Sequence, residues 1–392
     1  MPDSNTDNNH LYIDTAEELA AFCRQLSGVR VLAVDTEFIR EKTYYSQLCL
    51  IQIAGNDLIA CIDPISIGNI DPLLDLLYDN DIIKVLHAAR QDLEIFYNLR
   101  GKVPAPVFDT QIAAAVLGHG EQVGYSKLVE DVLHVQLHKG YARTDWSKRP
   151  LSREQLLYAA DDVRYLIRLY PLLRQQLDAL GRADWLEEDF AALSENALYE
   201  IDPETVWQRI SGRQRLNGQR LAILHHLAKW REELAIQLDR PRKWVLADDL
   251  LIALAQQGPD TAAQLQSLRG LPPRVLEKHR QDILAQIAAA KKLPKEQWPQ
   301  DTKPMRTTPE QDALADGLMS LLRLRAAEYD IAPTTLATRK DIDKLALGER
   351  DIPLLHGWRA QVAGHDLLKL LEGKIVLQVV NGQVTGVNAT PN

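Results

Sequence analysis

Apart from one hairpin signal at its very end, this chain confines its strand-like segments to the first 110 residues. VRVLAVDTEF (29–38), LCLIQIA (48–54) and DLIACID (57–63) are short and rich in Val, Ile and Leu, with connections brief enough for antiparallel pairing. IIKVLHA (82–88) and PVFDT (106–110) read as a fourth and a fifth strand. Around them, YIDTAEELAAFCRQL (12–26), opening on an Asp14 or Thr15 cap, DPLLDLLYD (71–79) and ARQDLEIFYNL (89–99) carry helical spacing. From Thr110 to about Leu177 the pattern is helical, broken by the loop HKGYARTDWSKRP (138–150). This order predicts a mixed sheet flanked by helices, an α/β domain.

After about residue 205 the apolar period becomes helical, with Gly and Pro at the joints. EQWPQDTKPMRTTPEQ is a polar, proline-bearing linker, and a second helical set follows it. Asn381 and Gly382 between two apolar runs are the closing hairpin signal. LAKWREELA and LLRLRAAEY, 94 residues apart, hint at a duplicated module. The expected divisions are a disordered tail at 1–10, an α/β domain at 11–205, a helical domain at 206–295, a linker at 296–308 and a second helical domain at 309–392.

No apolar run approaches the roughly 18 to 20 residues that cross a bilayer. The polar N-terminal stretch lacks the basic start and apolar core of a secretory leader. Cys23, Cys49 and Cys61 have no metal-binding spacing and read as free thiols, which makes the cytoplasm the default compartment. Charge is unevenly spread. Residues 1–208 carry 18 Lys and Arg against 33 Asp and Glu, whereas residues 209–295 carry 16 against 8. A basic block behind an acidic domain suggests a polyanion partner.

Asp35 and Glu37 share one face at the end of an apolar strand, where two carboxylates repel. Either that end is exposed or a cation lies between them. Asp92 follows a strand on a predicted helix, and Tyr158 and Asp162, four apart, share a helix face. Asp161 is turned about 100° from Asp162 and reads as a solvated neighbour. Clustered carboxylates suit hard cations such as Mg²⁺ or Mn²⁺, and a pair of these promotes phosphodiester hydrolysis. His87 reads as a buried, hydrogen-bonded histidine. Arg40, Lys42, Arg143, Lys148 and Arg149 flank the site in sequence, while Gln47, Tyr44, Tyr45 and Trp146 are candidates to stack on or bond a terminal nucleotide. Arg213, Arg215, Arg220, Arg240, Arg242 and Lys243 are candidates for phosphate attraction.

VDTEF, HAARQD with its downstream FDTQIAA, and YAADDV resemble the three exonuclease motifs of the DEDD superfamily, in the branch with Tyr four residues before the last Asp. DTEFIREKTYYSQLCLIQIA and DWSKRPLSREQLLYAADDVRYL are similar to the ribonuclease D family, whose layout also includes helical HRDC domains. The resemblance implies a ribonuclease H-like exonuclease domain followed by two small all-α HRDC-type domains. It further implies 3′ to 5′ exoribonuclease activity on tRNA precursor 3′ ends, and a monomer. Two divalent ions would be held by Asp35, Glu37, Asp92 and Asp162, with Tyr158 orienting the water. The catalytic motifs alone also suit a DNA 3′ to 5′ exonuclease, and a non-catalytic RNA adaptor would lack one of the five residues. No GxxxxGK[ST] loop is present, which excludes a helicase. Deleting residues 205–392 is expected to weaken RNA binding and to leave hydrolysis of short oligonucleotides.

Overall fold

The computed structural model describes residues 10–137, 140–141, 144–301 and 307–389. The expected tail, except His10, lies outside the described residues, as do Arg143 and the middle of the expected linker. The chain forms two compact units. One contains the described residues through Phe38, Leu48–Leu198 and the segment from residue 307 onward. The other contains Ile39–Gln47 and the segment from Tyr199 to residue 301.

The first unit is built on a six-stranded sheet ordered β1-β4-β3-β2-β5-β6. Its strands are β1 (Leu11–Ile13), β2 (Val31–Ile39), β3 (Gln47–Gly55), β4 (Leu58–Ile62), β5 (Ile83–Leu86) and β6 (Val107–Asp109). β3 pairs antiparallel with β4. β1 runs parallel to β4, β2 to β5 and β5 to β6, so the sheet is mixed. The sequence reading has five strands and misses β1, because three residues are too short to display a period of two. The long helix Arg153–Ala179 starts at a capping box made by Ser152 and Gln155. It buries Ala159, Val163, Leu166, Leu169, Leu173 and Leu177, one helical stripe, and packs against β4 and β5.

The C-terminal segment joins this same core. Leu318, Leu322, Ile342 and Leu367 belong to one apolar cluster with Phe108, Leu166 and Leu173. Trp185 stacks on Trp358 with ring centres 4.7 Å apart. Asp189 accepts from Trp358 Nε1 at 3.3 Å and from Arg359 Nη1 at 3.0 Å. Arg182 donates to the carbonyls of Val116 at 2.5 Å and Tyr329 at 2.8 Å. Gly118 has a φ of +90°, and a Cβ there would lie 2.6 Å from the Asp330 carbonyl oxygen, so only glycine permits this approach. The expectation that residues 205–392 can be removed with catalysis intact conflicts with this shared core. The hairpin β7 (Ile375–Val380) and β8 (Gln383–Asn388) turns at Asn381 and Gly382, both with positive φ.

In the second unit, helix Gly218–Gln237 packs on helices Asp248–Gln257 and Pro273–Lys292 around Leu224, Leu227, Leu254, Ile283 and Ile287. The β2–β3 connection folds with these helices. Tyr44 is buried, and its hydroxyl donates to the buried Glu232 carboxylate, which Arg242 Nε also meets at 3.0 Å. Asp239 Oδ1 accepts from the backbone N–H of Tyr44 at 2.9 Å and of Tyr45 at 3.3 Å. Among the described residues, no helix is long and apolar enough to cross a membrane.

Candidate active site

β2 lies inside the sheet between β3 and β5, and its C-terminal half carries Asp35 and Glu37. Helix Arg153–Ala179 brings Asp162 to them. One carboxylate oxygen from each of Asp35, Glu37 and Asp162 lies within 4.8 Å of the others. Asp92, in the first turn of helix Arg90–Arg100, stands outside that group and is buried. Its Oδ1 accepts from the Thr36 hydroxyl at 2.5 Å. The alternation of faces along β2 therefore sends Asp35 and Glu37 to one partner set and Thr36 to another.

Burial raises all four carboxyls, and repulsion from neighbours in the cluster adds to it at Asp35, Glu37 and Asp162. Desolvation lifts Asp35 well above its ordinary range, and Asp162 and Asp92 add to it. Burial, then Asp35 and Asp92, push Glu37 up to about 9. Asp162 is raised by burial, Glu37 and Asp161. Asp92 reaches about 6 through burial, restrained by the Thr36 hydroxyl. The Tyr158 phenol is raised by burial and then by Asp162, Glu37 and Asp35, so it stays protonated. Its ring lies 6.2 Å from Trp146 and 5.9 Å from Tyr141. Beside it, a cavity of about 680 Å³ is lined by Tyr125, Leu137, Tyr141, Leu157, Tyr158 and Asp162, among others. A cluster of like charges held this close fits a bound cation, which removes the repulsion.

Asp161 lines the same cavity, and it is paired with a cation rather than being the solvated neighbour that the sequence reading expects. Its Oδ1 accepts from Arg164 Nε at 2.9 Å. His87 has both ring nitrogens engaged, with Thr110 Oγ1 at 2.9 Å and the Val123 carbonyl at 3.1 Å. Burial lowers its pKa, and it remains a structural histidine as the sequence reading has it.

Three substrate contacts expected from the sequence require correction. Trp146 is 1% exposed and packed behind Tyr158, so its face is closed to a nucleotide. Tyr44 is 3% exposed and bonded to Glu232 within the helical unit. Arg149 has spent all five guanidinium donors. They go to both oxygens of Asp63 at 2.6 and 2.7 Å and to the carbonyls of Cys49, Trp146 and Lys148 at 2.7–2.8 Å. None is left for a phosphate. Gln47 and Tyr45 are exposed, as are Arg40 and Lys42, and all four lie in the stretch that folds with the helical unit. Lys148 is exposed, 3.7 Å from Asp145. In the basic block, Arg213 pairs with Asp301 at 3.1 Å and Arg242 with Glu232, whereas Arg215, Arg220, Arg240 and Lys243 are exposed.

Sequence reasoning overlooked Asp63 and Asp109. Burial alone would raise Asp63, but Arg149, Tyr12 and Ser66 hold its carboxyl far below the ordinary range. That contribution is present above pH 3.8 and is lost as the pH falls below it. Arg149→Met leaves a buried carboxylate unpaired and is expected to cost about 3–5 kcal/mol, read from urea unfolding at pH 7. A loss under about 1 kcal/mol would remove this assignment. Asp109 accepts from the N–H groups of Ala88 at 3.0 Å and Ala89 at 2.8 Å, fixing the turn that launches the Asp92 helix. Its position as an Asp directly before a helix is the signal that could have revealed it.

Residues 11–178 match the 3′-5′ exonuclease domain family, and residues 220–287 match the HRDC domain family. The chain is 41% identical to ribonuclease D of Sphingobium indicum over 96% of this chain and 98% of that one. It is 40% identical to ribonuclease D of Gluconacetobacter diazotrophicus over 96% of each. Among solved structures it is similar to Escherichia coli RNase D, an exoribonuclease involved in structured RNA processing. That match has a TM-score of 0.82 and 34% identity, and it covers 93% of this chain and 99% of that one.

Proposed function

We propose that this chain, which belongs to the ribonuclease D family of 3′ to 5′ exoribonucleases, removes nucleotides from RNA 3′ ends with Asp35, Glu37, Asp92 and Asp162 as metal ligands and Tyr158 as the water-orienting phenol. The observation that carries the reading is the convergence of three carboxylates within 4.8 Å beside a protonated phenol and an open cavity. An all-carboxylate donor set suits two Mg²⁺ or Mn²⁺ ions. When bound, such ions lower the pKa of water and offset charge on the leaving oxygen.

The residues of the chain supply position. Thr36 holds Asp92, and Asp109 holds the turn before it. The cavity beside Tyr125, Tyr141 and Leu157 receives the terminal nucleotide, and the Tyr158 hydroxyl donates to the water or the scissile phosphate. Water attacks the last phosphodiester, the 3′ oxygen of the preceding nucleotide leaves, and the product is a nucleoside 5′-monophosphate.

Precursors of tRNA and other RNAs with single-stranded 3′ ends are the proposed substrates, met by a monomer in the cytoplasm. Support comes from the RNA-processing relative and the basic helical block. Residues 309–392 are assigned as a second HRDC-type domain. In both helical sets a 20-residue helix is followed by a four-residue helix and then by one of 8–10 residues.

The test is a time course on 5′-labelled RNA with a single-stranded tail beside a hairpin, with Mg²⁺ or with EDTA. A ladder shortening from the 3′ end only with metal is expected. Tyr158→Phe is expected to lower kcat about 10²-fold with KM nearly unchanged. Retention of RNA without shortening in any metal would replace this reading with that of an RNA-binding adaptor.

A further inference from the structure

We infer that Gln52 is a positioning residue of the carboxylate cluster, its buried amide orienting Asp35 when a divalent cation is bound. The inference rests on the metal-ligand reading above. Gln52 lies in β3 and is 0% exposed, and neither its Nε2 nor its Oε1 meets a hydrogen-bond partner among the described residues. An amide left in that state destabilises a fold, and an apolar side chain of similar size avoids the penalty.

The sheet places Gln52 beside Asp35. Gln52 is the cross-strand partner of Cys61, whose Sγ donates to the Leu156 carbonyl of helix Arg153–Ala179 at 3.6 Å. Residues paired across a sheet share a face, so Gln52 points toward the helix that carries Asp162. On its other side β3 neighbours β2. A Cβ on Gly55, the last residue of β3, would lie 2.7 Å from Leu32 Cδ2 and 3.2 Å from the Val31 carbonyl oxygen, at the start of β2. The end of one strand thus meets the beginning of the other, and the two run antiparallel. Three residues back along β3, Gln52 comes level with Val34 and Asp35. The alternation of faces selects Asp35, because Ala54 shares a face with Gln52, Ala33 shares one with Asp35, and both alanines join Val163 and Leu166 of the long helix in one apolar cluster.

The hydroxyl of Thr36 fixes Asp92 from the other face of β2. Asp35 takes the backbone N–H of Thr36 and, among the described residues, no side-chain donor. Gln52 supplies unused N–H donors on that face. Donation to the Asp35 oxygen turned away from the cation orients the ligand, as hydrogen bonds to ligating carboxylates do at metal sites. A neutral amide does this without adding charge to acids that already repel.

The experiment measures metal binding by the full chain, stripped with EDTA and free of RNA, as the rise in melting temperature with added Mg²⁺ or Mn²⁺. Gln52→Met replaces the amide by an apolar group of similar length and is expected to melt in EDTA at least as high as wild type. Gln52→Leu is smaller and is expected to melt lower. Both variants should need about 10- to 100-fold more cation for the same rise. Turnover on the hairpin RNA should fall by a similar factor at low metal and recover as metal is raised, with KM for RNA unchanged. Cys61→Ala, a change of packing on the same face, should move the melting temperature and leave the metal requirement alone. The same metal loss in Cys61→Ala would assign the effect to packing and overturn the inference. A wild-type metal response matched by both Gln52 variants would overturn it as well and leave the metal-ligand reading standing. No metal response in wild type would remove that reading, and the role of Gln52 with it.

Discussion

Replacing Asp35 or Asp162 by Asn is expected to lower turnover by at least about 10²–10³-fold and, without divalent metal, to raise the melting temperature. Both effects have one cause. The cluster gathers carboxylates that burial and repulsion hold above their ordinary range. Glu37 titrates near 9 in the folded chain against an ordinary 4.5, so between those values the folded state holds more protons than the unfolded state. Stability from this group is therefore fully present below pH 4.5 and falls as the pH rises toward 9. Removing one neighbouring charge relieves that penalty and should raise Tm at pH 8 in EDTA by about 2–6 °C. Mg²⁺ should flatten the wild-type slope, because the ion stabilises the ionised cluster. Asp161→Asn, whose carboxylate pairs with Arg164, should retain most turnover. An inactive Asp161→Asn beside an active Asp162→Asn would reverse the helix register assigned to the ligand. An unchanged Tm would mean that the fold does not carry the repulsion.

Truncation after residue 301 is expected to leave no cooperatively folded exonuclease domain. The cut removes Leu318, Leu321, Leu322, Ile342, Leu345 and Leu367, all fully buried in the cluster that contains Phe108 and Leu166. It also uncovers Trp185 and takes from Arg182 and Asp189 their partners Tyr329, Trp358 and Arg359. Full burial of one such side chain is worth about 1.5–3 kcal/mol, and a whole domain holds a margin of only about 5–15 kcal/mol. A gentler probe is Trp358→Ala, which should cost about 3–5 kcal/mol and lower Tm with the carboxylate cluster untouched. Circular dichroism melts of both variants check this. A truncated chain that melts at the wild-type temperature and still shortens a trinucleotide would show the C-terminal helices to be an independent module.

The strand runs around Asp35, the helical pair Tyr158 and Asp162, and the Asn381-Gly382 hairpin were legible because each depends on residues within a few positions of one another. Their periods of two and 3.6 and their turn chemistry are written locally. What the neighbourhood in sequence could not decide was partnership across long separations. Arg149 looked like a phosphate donor until its five bonds to Asp63 and three carbonyls were visible, and Asp63 lies 86 residues away. Tyr44 and Trp146 have the composition of base-stacking residues, yet one is closed off by Glu232 and the other by burial behind Tyr158. The C-terminal helices read as dispensable to the exonuclease fold because an apolar stripe on a helix states that it will be buried and leaves its partner unnamed. Sequence thus determined the elements, their faces and the carboxylates and phenol that are candidates for catalysis. Tertiary structure alone decided which charges are already neutralised and which remain to bind, since that depends on distance and desolvation in three dimensions.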